Sequence, residues 1–353
     1  MRRCASVAEL DLTRWNGVAR ATPTEYLGRA CVYVESALDS TVVVQPGPDL
    51  VDGFVELDLA VRPERAFPGV AWRVQEDETY ESFFVRPHQR GNPDAIQYTP
   101  VWHGLSSWQL YHGDGYWSPV DIPLEAWFRI RVAWADDRAV AEVAGTTVLA
   151  SRLVGPERPG RVGILVGGEG LFVSGFASGP DPGRVPAGRS APAEDPDVLR
   201  AWEVSDPFAE ASLPRGDVLD PAFLAARAWT PVEAAPGGLV DLGRVRALRD
   251  GRNTVLARTR IDADEPRREE LELGFSDRAV VYLNGSQLFR GNDTYRSRDY
   301  RFLGSIGWYD AVHLPLEVGG NDLVVAVSED FGGWGVQARL RRPPQVRELR
   351  SRE

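Results

Sequence analysis

The alternation of apolar and polar residues predicts that the chain is almost entirely β. In FVELDLAV the apolar residues fall on one face of a strand, and Glu56 and Asp58 fall on the other. WFRIRVAW alternates in the same way, with Arg129 and Arg131 on the outward face. Further short segments of this kind are GVAWRV, YESFFVR, RVGILVGG and LFVSGFAS. Many short strands separated by Gly, Pro and Asp are typical of a β-sandwich.

The second half of the chain is predicted to begin with a short helix and then to return to strands. Asp220 is a capping residue and Pro221 suits the first helical position, so DPAFLAARAW predicts a helix. The predicted strands are VLARTRID, ELELGF, AVVYLNGSQLF and DLVVAVS. Asn284 and Gly285 predict a two-residue type I′ hairpin, because that turn needs a positive φ at both positions.

A stretch rich in Pro, Gly and small residues separates the two halves. ASGPDPGRVPAGRSAPAEDPD has no helical or strand periodicity, which predicts a linker. A length of 353 residues also suits two domains. We therefore predict an all-β chain with two β-sandwich (jelly-roll) domains joined by a Pro/Gly-rich linker. The predicted bounds are 1–178 and 199–342 for the sandwiches, 179–198 for the linker and 343–353 for a charged C-terminal tail.

The charge of the chain disfavours nucleic acid and anionic membranes as partners. The 40 basic residues are all arginine, 51 residues are acidic, and the formal net charge is -11. Phosphate binding needs a concentrated basic face, which this composition does not offer.

No apolar run approaches the length of a membrane span. Cys4 and Cys31 do not make a disulfide framework. The first residues lack the apolar segment of a signal peptide, so the chain as written is expected to be cytoplasmic, and secreted if the true start lies upstream.

The stretch from Arg86 to Trp117 gathers rings that can both pack and hydrogen-bond. It contains three of the 4 histidines, three of the 11 tryptophans and three of the 10 tyrosines. Sugars need aromatic faces for their C–H surface and polar groups for their hydroxyls. We therefore predict a carbohydrate-binding surface here. Its candidate ligand-binding residues are Arg86, His88, Asn92, Asp94, Trp102, His103, Trp108, Tyr111 and Trp117.

Strand periodicity divides these rings between two faces. AIQYTPVWHG and SWQLYHG are predicted to be adjacent strands joined by LSS. In the second of these, Trp108, Leu110 and His112 share one face, and Gln109 and Tyr111 share the other. One face must cover the core, so at least one of the three tryptophans is a core residue, and the sequence leaves open which one.

Two resemblances point toward carbohydrate. The order FVELDLAV, GVAWRV, YESFFVRP, EAWFRIRVAW and GRVGILVGGEGLFVSGFAS resembles concanavalin A-like lectin/glucanase domains, within them the laminin-G-like and 3-keto-disaccharide hydrolase type. This resemblance covers roughly the first 178 residues. The second half resembles galactose-binding-like jelly rolls, mainly through GFSDRAVVYLNGSQLFRG at 274–291. Such domains are usually accessory to glycosidases, so both resemblances imply a carbohydrate ligand.

The residues do not reproduce the catalytic motif of laminarinase-type glucanases. That motif is Glu-x-Asp-x-Glu, or the same with one extra residue. Glu56 and Asp58 match its first two positions, but Ala60 and Val61 stand where the last glutamate belongs. A retaining glycosidase needs two carboxyl groups flanking the bond, so this mechanism is not expected.

Whether the chain catalyses a reaction is left open. If it were a hydrolase of the 3-keto-disaccharide type, an acid would work with a histidine. The candidates are Glu81, Asp94, Asp114, His88, His103 and His112. The other alternative is a non-catalytic structural protein whose rings fill loops. The glycan and the oligomeric state are also left open.

No cofactor is expected. The three histidines are fifteen and nine residues apart, which matches no local metal-ligand spacing. Concanavalin A-like domains sometimes bind Ca²⁺, and NPDA at 92–95 and GDG at 113–115 contain oxygen donors for it. Both are also ordinary turn sequences, and the turn is the favoured interpretation.

Overall fold

The computed structural model describes residues 12, 15, 19–36, 40–155, 158–183, 185, 195–214 and 216–341. The chain divides into two compact units, Met1–Ala191 and Pro192–Glu353. Antiparallel sheets make up the described part of both, which confirms the all-β fold class. Much of the predicted linker and all of the predicted tail lie outside the described residues. The exact domain boundaries stay predictions.

The first unit is a sandwich of two sheets. Its strands are β1 (Ala19–Tyr26), β2 (Arg29–Ser36), β3 (Ser40–Val44), β4 (Gly53–Ala60), β5 (Gly69–Val74), β6 (Tyr80–Val85), β7 (Ile96–Trp102), β8 (Leu105–Ser106), β9 (Trp117–Ser118), β10 (Trp127–Ala135), β11 (Arg138–Val143), β12 (Thr146–Arg152), β13 (Arg161–Gly167) and β14 (Leu171–Gly179). One sheet has the order β1-β2-β14-β4-β10-β11-β12. The other has the order β3-β13-β5-β6-β7-β8, with β9 also paired to β7.

The core of the first unit lies between these sheets, as the alternation predicts. Leu57 on β4 and Ile130 on β10 are fully buried, whereas Arg129, next to Ile130 on β10, is exposed. Trp72 on β5 stacks on Trp134 on β10, with ring centroids 5.7 Å apart. Since β5 and β10 belong to different sheets, this aromatic pair joins the two layers across the core.

The second unit contains a larger and a smaller sheet. Its strands are β15 (Ala201–Ser205), β16 (Trp229–Glu233), β17 (Val240–Asp241), β18 (Thr254–Ala263), β19 (Arg267–Ser276), β20 (Arg278–Leu283), β21 (Ser286–Asn292), β22 (Asp310–Leu316), β23 (Gly319–Ser328) and β24 (Gly335–Arg341). The orders are β16-β15-β18-β23-β20-β21 and β17-β24-β19-β22. Buried and exposed residues alternate along strands such as β19 and β22, as expected for a second sandwich.

Local sequence signals in the second unit are confirmed. The helix α1 (Pro221–Ala225) follows Asp220, whose side chain accepts a hydrogen bond from the Ala222 N–H at 2.8 Å. This helix is shorter than the pattern predicts, since β16 begins at Trp229. The β20–β21 hairpin turns at Asn284 and Gly285, with φ values of 49° and 83°. Both are positive, as a type I′ turn requires.

Candidate functional site

Two loops at one edge of the β3–β8 sheet carry the predicted site. The 86–95 loop connects β6 to β7, and the 103–118 loop follows β7. The second loop folds back, because β9 at its end pairs with the start of β7 through Gln97 and Trp117. The 86–95 loop also contacts the segment that follows β9, since the N–H of Gly91 donates to the carbonyl of Val120 at 2.9 Å. The structure thus brings most of the 86–117 stretch together on one edge.

The conformation of the 103–118 loop differs from the predicted strand pair. The hairpin turns at His103 and Gly104, which have left-handed φ values of 52° and 82°, rather than at LSS. Beyond β8, Leu110 and Tyr111 both donate N–H bonds to the carbonyl of Ser107, each at 3.1 Å. These bonds form a compact turn, so the predicted strand SWQLYHG is wrong. Its division into two faces is wrong for the same reason, because a five-residue alternation does not distinguish a strand from a turn.

A buried glutamine holds the 103–118 loop against β7. Gln97 is fully buried, and its Nε2 donates to the carbonyls of Trp108 and Tyr111 at 2.8 and 2.7 Å. Its Oε1 accepts a hydrogen bond from the guanidinium of Arg86. Arg86 also donates to the carbonyl of Asp94 at 2.6 Å, so one side-chain network ties both loops to the sheet.

Arg86 belongs to this support rather than to the exposed surface. Its exposure is 6%, and its guanidinium lies 4.8 Å over the ring of Phe84. Burial lowers the pKa of Arg86 to about 10, and the nearby Asp94 opposes this effect. The group therefore stays charged at neutral pH. Its donors are used within the protein, which corrects the predicted role of Arg86 as a direct ligand contact.

The three tryptophans differ in exposure, which answers the question that the sequence leaves open. Trp102 is 5% exposed and is the core residue among them. Tyr111 is also 5% exposed, so these two predicted ligand residues lie in the interior. Trp108 and Trp117 are half-buried and keep part of their rings at the surface. The His112 ring lies 5.4 Å from that of Trp117.

His88 lies near the start of the 86–95 loop, and its neutral imidazole can donate or accept a hydrogen bond. Its ring meets Phe67 edge-on, with centroids 5.4 Å apart. Burial lowers the pKa of His88, and the positive charges of Arg65 and Arg86 lower it further. Its Nδ1 is buried without a hydrogen-bond partner among the described residues. A buried polar atom of this kind is costly unless water or a ligand satisfies it.

The remaining polar candidates lie toward solvent. Asn92 is exposed, and its Nδ2 donates to Oε1 of Gln89 at 2.5 Å. The side chain of Asp94 is 19% exposed and lies 3.9 Å from the Arg86 guanidinium. Asp114 is exposed and forms an isolated β-bridge with Trp117.

Two of the six catalytic candidates occupy structural positions. Glu81 is 2% exposed, and its carboxylate accepts hydrogen bonds from the Tyr98 hydroxyl at 2.5 Å and the Gly155 N–H at 3.0 Å. Burial raises the pKa of Glu81, and the Tyr98 bond opposes this. Glu81 is thus a core residue rather than a surface acid. The Nδ1 of His103 lies 3.3 Å from Asp77, an acid outside the predicted set.

The carboxylates of the incomplete glucanase motif are paired across the other sheet. Asp58 faces Arg129 in the β4–β10 register and binds it through both oxygens, at 2.6 and 2.8 Å. Glu56 accepts from the same guanidinium at 3.2 Å and lies 3.6 Å from Arg131. The pattern therefore reflects cross-strand ion pairing on the outward face.

The described residues were also compared with the requirements of a metal site and of a membrane-spanning helix. No group of three or more His, Cys, Asp and Glu side chains there is arranged to hold a metal ion. No helix in the same residues is long and apolar enough to cross a membrane.

Two features of functional interest leave only weak signals in the sequence. Gln97 supports both loops, and its only sequence signal is a polar position beside Thr99 in an otherwise apolar strand. The second is a group of exposed rings in the second unit, at Tyr300, Tyr309 and Phe331. Its signal is the density of aromatic and arginine residues in DTYRSRDYRF.

No family model matches the chain, and no curated protein matches it. Among solved structures, it is similar to carbohydrate-binding module CBM66 from Bacillus subtilis, with 11% identity over 46% of this chain and 94% of that chain and a TM-score of 0.36. It is also similar to a protein of unknown function with a galectin-like fold from Bacillus subtilis, with 11% identity over 50% of this chain and 97% of that chain and a TM-score of 0.36. Likenesses at these TM-scores are too remote to assign an activity.

Proposed function

We propose that the first unit binds a carbohydrate at the surface formed by the 86–95 and 103–118 loops. The observation that carries this proposal is the Gln97 network, which fixes a ring-bearing loop beside polar side chains. Trp108 and Trp117 would stack on the C–H faces of the sugar, and Asn92 and Asp94 would bind its hydroxyls. Because the loops are held before the ligand arrives, little ordering free energy opposes binding.

The chemistry of the surface suits an uncharged ligand. His88 is neutral at pH 7, since its pKa is lowered by burial. The charge of Arg86 is used internally, between the Asp94 carbonyl and Gln97. What remains for a ligand is a set of rings, an amide, an imidazole and carboxylates, which is the mixture that polyhydroxylated rings need. Membership of the concanavalin A-like and galactose-binding-like families remains part of this proposal.

Binding without catalysis fits these residues better than hydrolysis does. Glu81 lies in the core, and the acid that His103 contacts is Asp77 rather than one of the predicted acids. The role of a lectin-like accessory protein in glycan metabolism is therefore the function that we favour.

The test compares tryptophan variants of the full-length chain on an array of neutral and acidic glycans. Trp117→Ala is expected to lower the affinity for the bound glycan by about tenfold or more, as for other aromatic hot spots. It is expected to change the free energy of unfolding little. Trp102→Ala serves as the control for packing, because truncating a buried tryptophan costs about 3–5 kcal/mol of stability. Trp108→Ala is expected to behave like Trp117→Ala.

The outcomes separate the proposal from the structural alternative. Loss of glycan binding in stable Trp108 and Trp117 variants supports a binding surface. If both variants are destabilised as much as Trp102→Ala and the array profile is unchanged, the rings are packing residues and the proposal fails.

A further inference from the structure

Three aromatic side chains are exposed in the part of the chain that the structure describes, and all three lie in the second unit. Tyr300 is 78% exposed, Tyr309 is 50% exposed and Phe331 is 49% exposed. The two tyrosines lie in the connection from β21 to β22, and Phe331 lies in the loop from β23 to β24. Exposed apolar residues are normally scattered singly over a protein surface, whereas a contiguous group of them marks an interaction site.

Ring contacts and one backbone hydrogen bond join these aromatic residues into a contiguous group. The ring of Tyr295 packs edge-on against Phe331, with centroids 6.0 Å apart. Arg296, the next residue, donates its N–H to the carbonyl of Phe302 at 2.9 Å. The ring of Phe302 packs edge-on against Tyr309, with centroids 5.9 Å apart. The chain therefore folds back between 296 and 302, and this brings the two pairs of rings together.

Arg298 holds the connection in this folded-back shape. It forms ion pairs with Asp293, which is fully buried, and with Asp310, the first residue of β22. Its guanidinium also lies 5.7 Å from the ring centroids of both Phe302 and Tyr309. One side chain thus ties the two ends of the connection to two of its rings. A partner would meet rings that are already in position, which lowers the ordering cost of binding.

The exposed charge of the connection is opposite in sign to that of the chain. We call residues 293–302, Tyr309 and Phe331 the arginine–aromatic surface. Its exposed charged residues are Arg296, Arg298 and Arg301 against Asp299 alone. The formal net charge of the whole chain is -11. A local excess of arginine on an acidic protein is complementary to an acidic partner.

Arg296 is the arginine of this surface that is open to a partner. Arg298 is used within the connection, and Arg301 pairs with Asp299 at 2.9 Å. Arg296 is exposed, lies 4.9 Å over the Tyr295 ring and has no ion pair with another described residue. One such arginine is too little for a nucleic-acid backbone, which needs a broad basic face. Arginine, tyrosine and phenylalanine together are instead typical of the centres of protein–protein interfaces.

We propose that the arginine–aromatic surface docks a segment of a partner protein in which acidic residues flank an apolar side chain. A carboxylate of that segment pairs with Arg296, and its apolar side chain packs on the exposed rings of Tyr300 and Phe331. The surface consists of residues of the second unit alone, so it does not rest on the site proposed for the first unit.

The test selects phage-displayed peptides of random sequence on the immobilised full-length chain. Phage that also bind the double variant Arg296→Glu, Tyr300→Ser are removed, which leaves peptides that need this surface. We expect the selected peptides to carry Asp or Glu beside Leu, Phe or Trp. Fluorescence anisotropy of the labelled peptides should show that Arg296→Glu and Tyr300→Ser each lower the affinity by about tenfold or more, as for other hot-spot residues.

Matched controls make the same substitutions elsewhere in the second unit. Arg268→Glu changes an exposed arginine on β19, and Val318→Ser changes an apolar residue that is 64% exposed. Both should bind the peptides like the wild-type chain. Raising NaCl from about 0.1 M to about 1 M should weaken peptide binding, because the screening length falls from about 10 Å to about 3 Å. All four single variants replace exposed residues, so their circular dichroism spectra should equal that of the wild-type chain.

The outcomes decide the proposal without reference to the first unit. Acidic, apolar peptides that lose affinity in Arg296→Glu and Tyr300→Ser but not in the two controls support it. It is overturned if no peptide prefers the wild-type chain to the double variant, or if the selected peptides lack acidic residues. Binding of polyuridylate that Arg296→Glu and Tyr300→Ser abolish, with no peptide selected, also overturns it and makes this a nucleic-acid surface.

Discussion

Replacing Gln97 by methionine removes the hydrogen bonds of the 103–118 loop and preserves the shape of the side chain. Two bonds to the carbonyls of Trp108 and Tyr111 are lost, together with one from the charged Arg86. A neutral hydrogen bond contributes about 1 kcal/mol and one to a charged group about 2 kcal/mol. Methionine buries more apolar surface than glutamine, which offsets roughly 1 kcal/mol of this loss of stability. We therefore expect Gln97→Met to lower the free energy of unfolding by about 3 kcal/mol.

Urea unfolding of the full-length chain, followed by tryptophan fluorescence and circular dichroism, measures this change. Gln287→Met makes the same substitution at the half-buried Gln287 on β21, in the second unit. We expect it to change stability by less than about 0.5 kcal/mol, as for most surface substitutions. Glycan binding should weaken in Gln97→Met and not in Gln287→Met. If Gln97→Met is as stable as Gln287→Met, the loop is not held by this side chain and the argument from preorganisation fails.

Three further predictions concern pH, catalysis and domain structure. Burial raises the pKa of Asp277 to about 6 and that of Glu329 well above its usual value, so the stability that they contribute is complete below about pH 4 and is lost as the pH rises through the folded values. The melting temperature of the second unit should fall between pH 5 and pH 8, and Asp277→Asn should reduce that fall; an unchanged slope contradicts the assignment. The wild-type chain should not hydrolyse β-1,3 or β-1,4 glucans, and turnover that Glu56→Gln abolishes would promote Glu56 to nucleophile. Limited proteolysis should cut within 179–198 and release two folded β-rich pieces, whereas a chain that resists cleavage and melts as one unit would contradict this boundary.

Most of the fold could be predicted because its signals are local. The alternation in β4 and β10 identifies the buried face of each strand, since successive side chains point to opposite sides of a sheet. The Asp220 cap and the turn at Asn284 and Gly285 are also set by a few adjacent residues. Each of these predictions is confirmed by the burial or the dihedral angles of the same residues.

The site was less predictable because its geometry depends on distant pairings. The pattern in 108–112 suits a strand, but the pairing of β9 with β7 draws the chain into a turn. Whether Trp102 or Trp117 lies in the core depends on that pairing and not on the local sequence. Glu81 is buried and accepts a hydrogen bond from Gly155, a partner far away in the chain that no local pattern indicates.

The turn at Asn284 has a consequence for the chemical ageing of the chain. Asparagine followed by glycine is the sequence most prone to deamidation, which requires the glycine nitrogen to attack the side-chain carbonyl carbon. Here the Asn284 Nδ2 donates to Oδ1 of Asn321 at 3.0 Å, and its Oδ1 accepts from the N–H of Asp322 at 2.9 Å. Both ends of the amide are held by the neighbouring strand, so the side chain cannot rotate freely into the geometry of attack. The folded protein therefore protects Asn284 and Gly285, the turn of one of its two-residue hairpins, from slow deamidation.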